Sequence, residues 1–159
     1  MSINRYLPHV VVLPEDDANR QIANGFALEC SSRQLKVESE IGGWMRVVED
    51  FLNFHVTSMR DFPERIVVLV IDFDDHPERL VEIREKIPKD LVDRAFVLGC
   101  LKEPEDLKRS GLGTFEEIGR SLAKACVDVE VDIWNHPLMR HNATELSQLR
   151  EIAAKILWQ

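Results

Sequence analysis

Carboxylates gather at two points of this chain. Leu13-Pro14-Glu15-Asp16-Asp17 sets three acids in a row, and Ile71-Asp72-Phe73-Asp74-Asp75-His76 sets three within four residues. Like charges this close repel unless a cation, phosphate chemistry or solvent takes up their field. Hard oxygen ligands presented together suit Mg2+ or Mn2+. Magnesium keeps several of its waters and bridges to substrate phosphate. The chemistry expected of Glu15, Asp72 and Asp74 is therefore metal-assisted phosphoryl transfer or phosphodiester cleavage. Residues two apart on extended backbone share a side, so Asp72 and Asp74 are expected to point the same way. Asp16, Asp17 and Asp75 have the plainer duties of capping helices or facing solvent.

Each cluster follows an apolar run. Val10 to Leu13 reads as a buried strand that Pro14 ends, and Ile66 to Ile71 is continuous, largely β-branched and uncharged. Ala95 to Leu101 is a further buried strand, and Gln34 to Val37 a short one. Between them the apolar spacing turns helical. Asp16 and Asp17 cap a helix that runs through Ile22, Ala23 and Phe26 to about Cys30. A second helix follows Gly42-Gly43, from Trp44 to about Ser58, with Trp44, Val47, Val48, Phe51, Leu52 and His55 on one face. Pro77 opens a third helix, which reaches about Ile87. Pro104 to Arg109, Thr114 to Cys126 and Ala143 to Trp158 complete the set, and Thr114 with Glu117 fits a capping box. In the last helix Leu146, Leu149, Ile152, Ala153 and Ile156 are expected to face inward.

Strands of uninterrupted apolar residues alternating with helices imply an α/β fold. The expectation is a single doubly wound domain over residues 1–159, with a mainly parallel four-stranded sheet and helices on both faces. Sites in such sheets lie at the carboxyl ends of the strands, where both acidic clusters fall. If the strands before Glu15 and Asp72 are neighbours, Glu15, Asp72 and Asp74 converge.

The 159 residues are 45% hydrophobic and 30% charged, a globular balance. No apolar run nears the roughly 18 residues of a membrane span, and the first residues lack a signal-peptide pattern, so a cytoplasmic location and no membrane partner are expected. Cys30, Cys100 and Cys126 are odd in number and widely spaced, which fits buried thiols rather than disulfides or a zinc ribbon. A net charge of −8 excludes binding nucleic acid by bulk electrostatics. Nucleic acid would have to be reached through a metal, a local basic patch or a partner protein. A homo-oligomer and a larger complex both remain open.

An isolated glutamate after a first strand, then Asp-x-Asp after a later hydrophobic strand, resembles the Toprim domain of topoisomerases, bacterial primases, OLD-family nucleases and small relatives. Glu15 and Asp72-Phe73-Asp74 carry the resemblance, and the element order matches over about Val10 to Leu101, with residues 102–159 as a helical extension. By resemblance, Glu15 is the general acid/base or a metal ligand, and Asp72 and Asp74 bind the divalent cation. The glutamate is followed by Asp16 where the family usually carries glycine, and Asn19 stands where an acid often appears. Tyr6, the one tyrosine, precedes the first strand, which removes strand passage by a tyrosine nucleophile. A small Toprim-like nuclease, or the nuclease part of a larger assembly, is the expected function.

Two other constellations compete. Asp16, Asp17 and Asp72 resemble the acids of a two-component receiver domain, though the turn after Asp72 and the Lys-Pro pair after the last strand are missing. A third alternative is a non-catalytic interaction domain. The Asp-Phe-Asp-Asp run is also similar to that of haloacid-dehalogenase-type phosphatases, but it lies mid-chain and is followed by His76. Gly111-Leu112-Gly113 lacks the third glycine of a dinucleotide fingerprint. Finally, Trp134 to Asn142 concentrates His136, Arg140 and His141 in one loop. These three are candidate acid, base or phosphate-binding groups; the plainer alternative is that Asn142 caps the last helix and the histidines pack.

Overall fold

The three longer strands are almost wholly apolar and buried and need cover on both faces, which the chain's helices supply. A computed structural model describes residues 3–128, 130 and 132–158; the outermost positions of the expected 1–159 span lie outside them. The elements are β1 (His9–Pro14), α1 (Asp17–Glu29), β2 (Leu35–Val37), α2 (Trp44–Asp50), α3 (Val56–Asp61), β3 (Arg65–Val70), α4 (Arg79–Lys86), β4 (Ala95–Leu98), α5 (Pro104–Arg109), α6 (Phe115–Val127) and α7 (Ala143–Leu157). The sheet order is β2-β1-β3-β4, and every pairing is parallel. The expected α/β class and parallel four-stranded sheet are what the chain forms.

Strand alternation divides the core in two. Val11, Leu13, Val67, Leu69, Ile71 and Val97 face α2, α3 and α4, with Val47, Phe51, Met59 and Ile83. Val10, Val12, Ile66, Val68, Phe96 and Leu98 face the other way, with Ala23, Cys126, Leu146, Leu149 and Leu157. Each fully buried Leu, Ile or Phe contributes about 1.5–3 kcal/mol relative to exposure. The C-terminal segment is thus half of this second core rather than an appendage.

Backbone proximity decides where small residues stand. At the crossing of α1 and α6, a Cβ on Gly119 would lie 1.9 Å from the Ile22 carbonyl oxygen, and one on Gly25 2.1 Å from that of Glu116. Glycine in a helix interior costs about 1 kcal/mol, which close packing offsets here. At Gly99, just past β4, an added Cβ would sit 1.6 Å from the Ile71 carbonyl oxygen. That approach keeps the strands paired beyond their formal ends: Ile71 donates to Leu98, Phe73 to Cys100 and Asp75 to Leu101, at 3.0, 3.0 and 2.8 Å.

Two helices differ from the sequence reading. Between α2 and α3 the chain makes a π-helical turn, Phe51–His55. The wider turn shifts the buried stripe, so Val56 and Met59 enter the core while Leu52 stays 36% exposed. In α7, Leu157 is buried and Ile152 is at the surface. The inward group on α7 that apolar periodicity misses is Glu145. Its carboxylate accepts the Val97 N–H at 2.9 Å and two bonds from Arg84 Nη2 at 2.8 Å, fastening α7 to β4 and α4. The Thr114–Glu117 capping box opens α6. All three cysteines are free, and burial pushes the thiols of Cys30 and Cys100 up to about 12 and that of Cys126 up to about 11. Among the described residues no helix is long and apolar enough to cross a membrane.

Candidate functional site

β1 and β3 are neighbours, and their register pairs Pro14 with Val70. The two acidic clusters therefore leave the sheet side by side at its carboxyl edge. Glu15 continues the β1–β3 ladder, its N–H donating to Val70 at 2.9 Å. Its side chain turns inward and is 8% exposed. Glu15 Oε2 accepts the Asp72 backbone N–H at 2.5 Å, and the Trp44 N–H also favours its charged form. Trp44 reaches this point because Gly42 and Gly43, with φ of 92° and 107°, carry the chain into α2.

Asp72 is likewise 8% exposed. Its Oδ1 accepts from Asn19 Nδ2 at 2.9 Å, while the Asn19 backbone N–H caps onto Asp16 Oδ1 at 2.9 Å. One asparagine in the first turn of α1 thus ties two acids together. Asp16 does cap α1 as expected, and it also lies within hydrogen-bonding reach of the Asp72 carboxyl. Burial above all, then the charges of Asp16 and Glu15, push the Asp72 carboxyl up to about 8, against the Asn19 hydrogen bond that favours its anion. Glu15 is also raised, by burial first and then by Asp16 and Asp74, with the Asp72 N–H opposing.

Asp74 is placed differently from the extended geometry expected of it. β3 ends at Val70, and Asp74 and Asp75 take left-handed conformations with φ of 49° and 63°. Aspartate tolerates this region in turns. The turn sends Asp74 outward, where its Oδ2 meets Arg79 Nη1 at 3.0 Å. Arg79 also donates to the Asp72 carbonyl at 2.7 Å and lies 4.4 Å over the Trp44 ring, with its side chain only 11% exposed. Sequence reading passed over this arginine because it sits in an ordinary helical stretch. Its position, two residues past Pro77 at the start of α4 and facing the Asp-x-Asp turn, is the signal that points to it.

The loop of Trp134 to Asn142 is joined to the same edge of the sheet. Leu101 N–H donates to the Leu138 carbonyl at 2.8 Å, and Asn142 exchanges two bonds with the backbone of Gly99. Asn142 therefore braces β4 rather than capping α7 with its side chain. Of the three candidates in the loop, His141 comes nearest the acids: its ring meets Phe73 edge-on at 4.9 Å, and Phe73 lies between Asp72 and Asp74. Both His141 ring nitrogens are buried without a well-formed hydrogen bond among the described residues, the Gly99 backbone lies close by, and burial lowers the ring's proton affinity. His136 accepts the Leu138 N–H at 3.1 Å within its own loop. Arg140 is exposed on a separate cleft alongside α7, with Ser147 and Arg150. Neither side chain is bonded to an acid of the edge.

As a donor set, Glu15 and Asp72 offer two hard, crowded carboxylates whose proton affinities are raised first by burial and then by neighbouring acids. Magnesium asks for one or two carboxylates and several waters, so this pair fits it. Among the described residues no three His, Cys, Asp or Glu side chains converge as a ready cage, and Asp74 is turned to Arg79. No family model, curated protein or solved structure matches the chain.

Proposed function

We propose that the acidic edge performs Mg2+- or Mn2+-dependent phosphodiester chemistry on nucleic acid, as a Toprim-like nuclease or nuclease subunit. The observation that carries this reading is the convergence of Glu15 and Asp72, both 8% exposed, at the carboxyl ends of adjacent parallel strands. Glu15 and Asp72 would hold the cation, and Asp74 would join through the flexible end of its pair with Arg79. A bound divalent ion would supply charge neutralisation and an activated water. Glu15, with its proton affinity raised by burial, is the candidate to hold or release a proton. Arg79, fixed against Trp44, supplies a cation beside the acids that a phosphate oxygen can share. His141 stands behind Phe73 as a positioning residue, while His136 and Arg140 make no bond to the acids and are left out of the chemistry. The setting is cytoplasmic. With a net charge of −8, a partner protein or a second subunit would provide the basic surface that holds the strand.

End-labelled DNA and RNA, single- and double-stranded, incubated with Mn2+ test this directly. Wild type should cut at least one of them, and Glu15→Gln and Asp72→Asn should each lose roughly 100-fold or more. Cleavage that survives both substitutions would remove the acidic edge from the chemistry.

A receiver-like regulatory role is the second reading, supported by the approach of Asp16 to Asp72, which pairs an acid after β1 with one after β3. A small acyl phosphate would then modify Asp72, and the mass of the intact protein would rise in wild type but not in Asp72→Asn. An unchanged mass in both rejects it.

A further inference from the structure

At the opposite end of the same strands lies a cleft of quite different character. His9 and Arg65 are register partners at the start of β1 and β3. Six-residue strands span about 20 Å at 3.3 Å per residue, so this end is remote from Glu15 and Asp72. The cleft has a volume of about 470 Å³, and its lining includes Arg5, Lys36, Arg65, Glu38, Ser58 and Phe62.

Arg65 is the feature that demands an explanation. The residue is only 8% exposed, and what it exposes lines the cleft. Its Nε donates to His9 Nε2 at 2.9 Å, which fixes His9 as the neutral tautomer with Nδ1–H on the Leu7 carbonyl at 2.8 Å. The ring of Phe62 lies 5.1 Å from the guanidinium carbon. No carboxylate among the described residues pairs with Arg65, and its two terminal nitrogens are left over. A largely buried guanidinium in direct contact with no carboxylate is costly. Arg5 opposes the Arg65 charge and Glu38, itself paired with Lys36, offsets this only in part; Arg5 has no ion-pair partner among the described residues. Lys36 is paired with Glu38 at 3.1 Å. Three cations against one carboxylate leave these lining residues with a net charge of +2 in a chain that carries −8.

We infer that this cleft is an anion site for the phosphate group of a small phosphate monoester. With Lys36 engaged by Glu38, the two guanidiniums match a dianion in charge. The free edge of the Arg65 fork offers two donors in the planar geometry that phosphate oxygens accept. Phe62 and the apolar rim would contact the organic part. The site is independent of the acidic edge, since no single phosphate reaches both.

Inorganic phosphate is the probe, at pH 8 in EDTA, with chloride at matched ionic strength as the reference. Melting temperature and calorimetric titration are read on wild type, Arg5→Gln, Arg65→Gln and Asp72→Asn. Wild type and Asp72→Asn should show the same saturable binding, while Arg5→Gln loses roughly tenfold in affinity or more, the worth of one charge-assisted contact. Arg65→Gln should abolish binding; because Arg65 is buried, the exposed Arg5→Gln carries the conclusion if that variant folds poorly. The inference is overturned if phosphate stabilises no more than chloride, if Arg5→Gln binds as well as wild type, or if acetate binds as tightly as phosphate.

Discussion

Replacing Asp72 by asparagine should make the protein more stable at neutral pH, and the gain should depend on pH in a defined way. The carboxyl has an ordinary value of 3.8 and is pushed up to about 8 in the fold. A raised value means that the native state binds the proton more tightly than the unfolded chain. Its contribution to stability is complete below 3.8, declines as pH rises through that window, and is fully lost above about 8. At roughly 1.4 kcal/mol per unit, four units amount to about 6 kcal/mol as a ceiling. Relaxation at the sheet edge, water and the coupled ionisation of Glu15 reduce this, and about 2 kcal/mol is the realised effect worked for pH 7.5. Asparagine keeps the shape and can still accept from Asn19 Nδ2, so little else changes. For a chain of this length, about 2 kcal/mol is a rise of roughly 4–8 °C in melting temperature. Thermal melts of both proteins from pH 4 to 9 without divalent metal should converge at the acid end and diverge toward neutrality. Parallel curves with a constant offset, or a less stable variant at pH 7.5, would refute the reasoning.

Other perturbations test the frame that holds the site. Glu145→Ala leaves Arg84 and the Val97 N–H without their buried acceptor, which should cost about 3–5 kcal/mol in a urea titration; a loss under 1 kcal/mol would mean that α7 is not fastened through this pair. Gly119→Ala ordinarily adds about 1 kcal/mol to a helix, but the Ile22 carbonyl 1.9 Å from the new Cβ should reverse the sign to a destabilisation, read by the same titration. Trp44→Ala removes the ring beneath Arg79 and should free that arginine, lowering the melting temperature by a few degrees through about 1–2 kcal/mol of lost cation–π contact and apolar burial, and an unchanged melting temperature would argue against the stack.

The strands and most helices were legible because their signals are local. Continuous apolar runs mark β1, β3 and β4, the cap residues Asp16 and Thr114 mark the starts of α1 and α6, and Pro77 foretells α4. That the two acidic clusters could meet was also legible, conditional on β1 and β3 pairing. What periodicity missed depends on contacts distant in sequence. The π-helical turn at Phe51–His55 is a choice made by packing, and no residue type announces it. Asp74 departs from the extended geometry because Phe73 is pulled into the core against His141, and the chain must then turn sharply to reach α4. Glu145 and Arg65 carry no local signal of burial; it follows from helix docking and strand register. Arg79 joins the site through Trp44, 35 positions earlier, a pairing that single-sequence spacing does not encode.

The most direct test of the central claim is the metal-dependent increment in melting temperature, measured with millimolar Mg2+ or Mn2+ for wild type and for Asp72→Asn/Asp74→Asn. A ligand that binds the native state alone stabilises it by mass action, about 2.7 kcal/mol at 100 times its dissociation constant. The increment is the quantity to read, because the double variant starts from a higher metal-free value once repulsion is relieved. Wild type should gain several degrees and the variant none. Equal increments in the two proteins, or no increment in wild type, would contradict a metal site at the acidic edge.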